Sequence, residues 1–133
     1  MASSLIIFVV DDELLIQDLL DVALVEGGFE VAKASSGEEA IAMFEAADVE
    51  YRALITDVNL APGKLTGWDV ARRGRELHPE LPVVYMTGDS GHHWASEGVP
   101  NSVLVPKPFA PVQIVTAISQ LLNAGSNPLP SSP

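Results

Sequence analysis

The sequence predicts one α/β domain built on an open, five-stranded parallel sheet with helices on both faces. Three observations predict it. Short apolar runs alternate with segments of helical periodicity, as in a βαβ series. Runs such as Leu5–Val10 and Pro82–Met86 are continuously apolar, as strands covered on both faces are. Polar groups of complementary chemistry stand where four runs end: Asp11 and Asp12, Asp57, Thr87 and Lys107. In such sheets ligands bind at the carboxyl ends of the strands.

Leu5–Val10 is the first strand, and a helix follows from about Glu13, with Ile16, Leu20, Ala23 and Leu24 on one face until Gly27-Gly28 stops it. Phe29–Ala34 is the second strand. Ser36 and Glu39 form a capping-box pattern that opens a helix carrying Ala40, Ile41 and Phe44 on one face. Arg52–Thr56, within the apolar run Tyr51–Thr56, is the third strand. A loop over Asn59–Thr66 leads to a helix with Val70, Ala71, Gly74 and Leu77 that ends near His78-Pro79. Pro82–Met86 is the fourth strand. The polar, glycine-bounded stretch Gly88–Gly98 predicts only a short, weak fourth helix. Ser102–Val105 is the fifth strand, and the last helix starts near Ala110, with Ile114, Ala117, Ile118 and Leu121 at helical spacing. The domain spans 1–123, and the Gly/Ser/Asn/Pro-rich segment 124–133 reads as a disordered tail or linker stub. Right-handed crossovers distribute the five helices over both faces. A flavodoxin-like strand order, 2-1-3-4-5, places the switch point between strands one and three, where Asp11-Asp12 meets Asp57.

Composition narrows the function. The 133 residues suit one domain with its own core. Eighteen acids against seven Lys and Arg leave a net charge of −11, which disfavours direct binding to nucleic acid or to anionic membranes. No apolar stretch approaches the roughly 18 residues of a membrane span. The absence of cysteine excludes disulfides and thiolate metal sites and fits a reducing cytoplasm.

Asp11, Asp12 and Asp57 side by side would repel, at a cost of about 4 kcal/mol for two carboxylates 4 Å apart at an effective dielectric of 20. A raised pKa or a bound cation relieves this. Oxygen-only ligands select Mg²⁺, Ca²⁺ or Mn²⁺, and Mg²⁺ combines one or two carboxylates with waters and phosphate oxygens. A backbone carbonyl at Asn59 could complete the shell. A carboxylate is also a nucleophile that can form an aspartyl phosphate. Asp57, alone at its strand end, is the acceptor; the Asp11-Asp12 pair holds metal. Lys107 and the Thr87 hydroxyl then face the charge that develops on the phosphoryl oxygens.

With these residues in hand, the chain resembles the receiver (response-regulator) family of two-component signalling. The matching segments are Val9-Val10-Asp11-Asp12-Glu13, Asp57-Val58-Asn59, Pro62 with Gly67, Met86-Thr87-Gly88 and Lys107-Pro108-Phe109, and together they cover about residues 5–122. The resemblance implies Mg²⁺-dependent transfer of phosphate from a phosphohistidine to Asp57. It also implies Mg²⁺ held by Asp12, Asp57 and the Asn59 carbonyl, with Asp11 acting largely through water, and Thr87 and Lys107 touching the phosphoryl group. Its partners would be a histidine kinase or histidine phosphotransfer protein and a downstream protein. The domain would phosphorylate and dephosphorylate itself without turnover on an external substrate, free-standing or as a receiver excised from a hybrid kinase. In similar proteins the Lys-Pro bond corresponding to Lys107-Pro108 is usually cis. Asn59 and Asp89 occupy positions that tune attack of water on the acyl phosphate, which implies a fairly short-lived phosphate.

Two departures stand out. Leu104 lies three positions before Lys107, where the family commonly has Tyr or Phe, so output cannot run through an aromatic ring swinging inward. The stretch Leu60–Thr66 looks about two residues longer than the commonest form. Two rival functions make distinct demands. A phosphorylation-independent interaction domain would have no use for the acceptor, the metal pair and the lysine. An aspartyl-phosphate hydrolase would usually place an acid, not Asn59, two residues after its nucleophile. Elsewhere, His92, His93 and Trp94 read as a mobile surface segment with no third metal ligand nearby. Arg72, Arg73 and Arg75 read as a solvated face paired with local acids, and Trp68 as packing.

Overall fold

The computed structural model describes residues 5–46, 48–60, 63–88 and 91–126. Strands β1 (Ile6–Val10), β2 (Glu30–Ala34), β3 (Ala53–Asp57), β4 (Val83–Thr87) and β5 (Ser102–Pro106) alternate with helices α1 (Leu14–Glu26), α2 (Gly37–Ala46), α3 (Gly67–Leu77), α4 (Trp94–Glu97) and α5 (Pro111–Ser126). All pairings are parallel, in the order β2-β1-β3-β4-β5. This is the flavodoxin-like order expected from the sequence.

The period-two alternation of each strand divides the core into two layers. Phe8, Val10, Leu54, Val83 and Tyr85 point to one face and pack against Ala40, Phe44, Val70 and Ala71 of α2 and α3. Ile7, Val9, Ala53, Ile55, Val84 and Met86 point to the other face, against Leu20, Leu24, Ile114 and Ile118 of α1 and α5. Every residue of β3 and β4 is buried. Aromatic rings anchor the first layer: Phe8 stacks on Tyr51 at 4.5 Å between centroids, and Phe44 meets Phe8 and Tyr51 edge-on at 5.1 and 5.5 Å. Gly74 leaves room for the Phe44 ring, which a Cβ there would approach to 3.0 Å.

Several boundaries differ from expectation. β3 and β4 extend by one residue to include Asp57 and Thr87, because both side chains are buried as strand residues are. At the start of α2, the Ser36 hydroxyl accepts the Glu39 amide at 3.0 Å as anticipated, but the Glu39 carboxylate takes the amide of Ser35, at 2.8 Å, rather than that of Ser36. A reciprocal capping box that the sequence reading passed over opens α3, between Thr66 and Asp69. α5 continues to Ser126, three residues past the boundary set at 123. Ala124 favours helix, but Gly125 and Ser126 do not, so residue propensity does not account for the extension. Positions 127–133 of the expected tail lie outside the described residues.

His92 and His93 sit in a 3₁₀ turn, Gly91–His93, ahead of the four-residue α4. Adjacent histidines diverge on an α-helix; in this tighter turn their rings lie 3.9 Å apart. Arg72 pairs with Asp69 and Glu97, and Arg73 with Glu45 and Glu76. Arg75 instead donates to the carbonyls of Leu81 and Asn101. Trp68 packs on Tyr85, 4.6 Å between centroids. No described helix is long and apolar enough to cross a membrane.

Phe44 joins α2 to β1 and to α3, and truncating it empties the centre of the first layer. Phe44→Ala is expected to cost about 3–5 kcal/mol of stability, measured by urea unfolding.

Candidate functional site

The site lies at the carboxyl edge of the three central strands, where the register aligns their ends. Val10 of β1 pairs with Thr56 of β3, Asp57 with Met86 of β4, and Thr87 with Pro106 of β5. Each strand then delivers its next polar residue to one rim. The Asp11 amide donates to the Ala34 carbonyl at 3.1 Å, and the Lys107 amide to the Thr87 carbonyl at 2.8 Å, so the turns after β1 and β5 are tied to their neighbours. The Lys107-Pro108 peptide is cis.

Asp11, Asp12 and Asp57 each offer a carboxylate oxygen, and the three oxygens lie within 4.8 Å of one another. Lys107 Nζ stands 3.2 Å from Asp57 Oδ2 and 4.0 Å from Asp11 Oδ2. Asp11 is 0% exposed and Asp57 6%, while Asp12 is open to solvent on one side. One oxygen of Asp11 accepts the Glu13 amide at 2.8 Å. The other, Oδ2, is buried without a hydrogen-bond partner among the described residues. Three carboxylates against one ammonium leave two formal negative charges in a largely buried pocket.

The titration behaviour follows. Burial lifts the Asp11 carboxyl from 3.8 to about 6; the Glu13 amide and Lys107 oppose that rise, and the Asp57 and Asp12 charges add to it. Asp57 is raised by burial too, despite the opposing pull of Lys107 and of the Asn59 amide that hydrogen bonds its carboxylate. Burial alone would lower the Lys107 ammonium, but the charges of Asp57 and Asp11 outweigh it and hold the group protonated above its ordinary value.

The donor set fits a hard divalent cation. It is all oxygen, contains a buried oxygen with no donor among the described residues, and carries the two surplus charges such an ion would neutralise.

Thr87 is 2% exposed at the tip of β4. Asn59 is exposed, two residues beyond Asp57. Asp89, also expected at the site, lies outside the described residues, as does Pro62. Leu104 is half-buried on β5, directly across from Tyr85 of β4 in register. Gly67 is required by space: a Cβ there would overlap the Asp57 carbonyl oxygen.

The sequence reading missed Gln17. It is a buried amide on α1 whose Nε2 donates to the Asp11 carbonyl at 2.7 Å and the Ala34 carbonyl at 3.0 Å. It clamps the backbone of the metal-facing turn to the end of β2. Its signal was available: a polar side chain in line with Leu20 and Leu24 on the otherwise apolar core face of α1.

Comparison with known proteins places the chain in a family of the same fold. The family model for the response regulator receiver domain matches residues 7–119. The chain is 32% identical over 124 residues to the probable transcriptional regulator ycf27 of Cyanophora paradoxa, covering 92% of this chain and 50% of that protein. It is 31% identical to the transcriptional regulatory protein SrrA of Staphylococcus aureus over 118 residues, 87% of this chain and 47% of that one. The chain thus spans about half the length of these curated relatives. Among solved structures, a response regulator receiver protein from Sinorhizobium medicae superposes with a TM-score of 0.84 at 40% identity, covering 91% of this chain and 96% of that one. A receiver domain protein from Clostridium thermocellum gives a TM-score of 0.81 at 26% identity over 92% and 97%.

Asp11 ionises near pH 4 in the unfolded chain but only near pH 6 in the folded one. Its burial therefore weakens folding progressively as pH rises through that window. In chelator, the chain is expected to be about 1 kcal/mol less stable at pH 7.5 than at pH 5 from Asp11 alone. Asp11→Asn should flatten that slope and raise Tm at pH 7.5, as read by thermal melts across pH.

Proposed function

The chain belongs to the response regulator receiver domain family of two-component signalling, and from that premise we propose that it accepts a phosphoryl group on Asp57 from a phosphohistidine, with Mg²⁺, and thereby changes its binding to a downstream protein. One observation carries this reading: the buried Asp57 carboxylate faces the Lys107 ammonium at 3.2 Å and shares its pocket with an Asp11 oxygen that has no hydrogen-bond donor among the described residues.

The chemistry follows from where the groups stand. Mg²⁺, when bound, neutralises the acids and draws phosphoryl oxygens to the site. Asp57 Oδ attacks the phosphorus while the N–P bond of the donor breaks; with its other ring nitrogen already protonated, the imidazole leaves as the neutral base. Lys107, held protonated by its two carboxylates, turns toward the negative charge arriving on the phosphoryl oxygens. Thr87, at the end of the neighbouring strand, supplies a hydroxyl to another of them. Asp12 and the Asn59 carbonyl are the remaining metal ligands of the proposal. Asn59, with Asp89, orients the water that later hydrolyses the acyl phosphate, which favours a short lifetime.

The histidine-bearing partner has a suitable surface beside the site. Leu15, Leu19 and Val22 on α1 are 78%, 55% and 60% exposed, an unusual apolar load for a solvated helix face. They adjoin an apolar cleft of about 420 Å³ lined by Ile16, Leu19, Pro108, Phe109 and Pro111, with Lys107 at its edge. A docked apolar helix there would carry its histidine toward Asp57.

The net charge of −11 argued against nucleic acid as a partner of this domain. The two relatives named as regulators of transcription are about twice as long, so a nucleic-acid partner is open for a longer protein that contains such a domain.

Incubation with Mg²⁺ and a small acyl phosphate is expected to add one phosphoryl mass to the intact chain. The gain should vanish in Asp57→Ala and when Mg²⁺ is chelated. Labelling that survives in Asp57→Ala would contradict the assignment.

A further inference from the structure

The loop between β3 and α3 leaves the acceptor strand at Val58 and returns at Gly67. Its neck is closed by backbone: Val58 donates its amide to the Met86 carbonyl at 3.0 Å and accepts that of Gly67 at 2.8 Å. Near the neck, the Asn59 amide reaches the Asp57 carboxylate, and Leu60 turns inward, 4% exposed. The far limb leans on the first turn of α2. There the Glu38 carboxylate accepts the Lys64 amide at 3.0 Å through Oε2. Its other oxygen occupies the space that a Cβ on Gly63 would need. A Cβ on Gly37 would stand 2.8 Å from Leu65 Cβ and 3.1 Å from its carbonyl oxygen, so the helix start and the loop meet at backbone distance. Amide hydrogen bonds from Glu38 itself, Lys64 and Leu65 hold the Glu38 carboxyl below its ordinary range, as expected of an anion seated among N–H groups.

We propose that Glu38 is a positioning residue for the phosphoryl site: by holding the Gly63–Leu65 limb against α2, it fixes the loop whose near limb presents Asn59 to Asp57 and to the metal. The proposal rests on the receiver reading above and adds a residue to it. Without Glu38, the Asn59 carbonyl must be ordered when the cation binds, and that cost appears as lost affinity. Glu39, one residue on, is the internal contrast. Its carboxylate accepts the Ser35 amide and, among the described residues, makes no hydrogen bond to the loop.

Gly63 supplies a second route to the same effect. Its backbone is not in the left-handed region, and the nearest atoms to an added Cβ all belong to the Glu38 carboxylate. Gly63→Ala therefore displaces the clamp while keeping its charge, which separates positioning from simple electrostatics.

The test is calorimetric titration of Mg²⁺ into the native chain, Glu38→Ala, Gly63→Ala and Glu39→Ala, with thermal melts of each. Glu38→Ala and Gly63→Ala are expected to weaken Mg²⁺ binding about tenfold, the low end of what losing a supporting group costs a metal site. Glu39→Ala should lower Tm and leave Mg²⁺ affinity native. Native affinity in Glu38→Ala and Gly63→Ala, or equal weakening in Glu39→Ala, overturns the proposal. A native chain that takes up no Mg²⁺ overturns both it and the receiver reading, whereas native-like binding in the first two variants overturns the clamp alone.

Discussion

Two carboxylates are held almost entirely out of water, and a single ammonium answers them. Asp11 and Asp57 are 0% and 6% exposed, and Lys107 lies 4.0 and 3.2 Å from them. Removing acids from water costs several kcal/mol each unless charge or hydrogen bonds compensate. Here the compensation is incomplete, since Asp12 adds a third negative charge and Asp11 Oδ2 accepts no hydrogen bond from the described residues. Such a pocket is a poor way to stabilise a fold and a good way to bind a divalent cation and, through it, a phosphoryl group.

The sheet makes this arrangement possible. Its parallel strands all end on one rim, and the order β2-β1-β3-β4-β5 sets β1 and β3 side by side where their crossovers part to opposite faces. Two buried layers, one around Phe8, Phe44 and Tyr51 and one around Leu20, Leu24 and Ile114, cover both sides of the sheet. The burial they provide offsets the cost of the polar rim. Smaller devices then set the rim's shape: Gln17 ties the Asp11 turn to β2, Gly67 lets α3 start against the Asp57 carbonyl, and Glu38 holds the loop beyond it.

The order of elements and the acidic trio were legible because they depend on local patterns. Apolar runs flanked by turn residues mark strands, and an Asp, Thr or Lys closing such a run is visible by position. What escaped depends on contacts between distant segments. Gln17 reads as one of several polar residues of an amphipathic helix until α1 is packed against the end of β2. The choice of Ser35 over Ser36 as partner of Glu39 turns on one residue of backbone path, and the Thr66–Asp69 box was hidden because Asp stands where Glu or Gln is more usual. Asp57 and Thr87 were placed just beyond their strands because polar residues end strands more often than they join them; burial on the rim overrides that preference. α5 outran its expected end through Gly125 and Ser126, two residues whose propensity gave no sign of it.

The central claim is that the buried acids await a divalent cation, and proton counting tests it most directly. Asp11, lifted to about 6, is about half protonated at pH 6 and must give up that proton to a metal. Calorimetric titration of Mg²⁺ in buffers of different ionisation enthalpy should therefore show release of about half a proton per ion at pH 6 and close to none at pH 8. Binding with no proton release at pH 6, or no binding at either pH, would contradict the account.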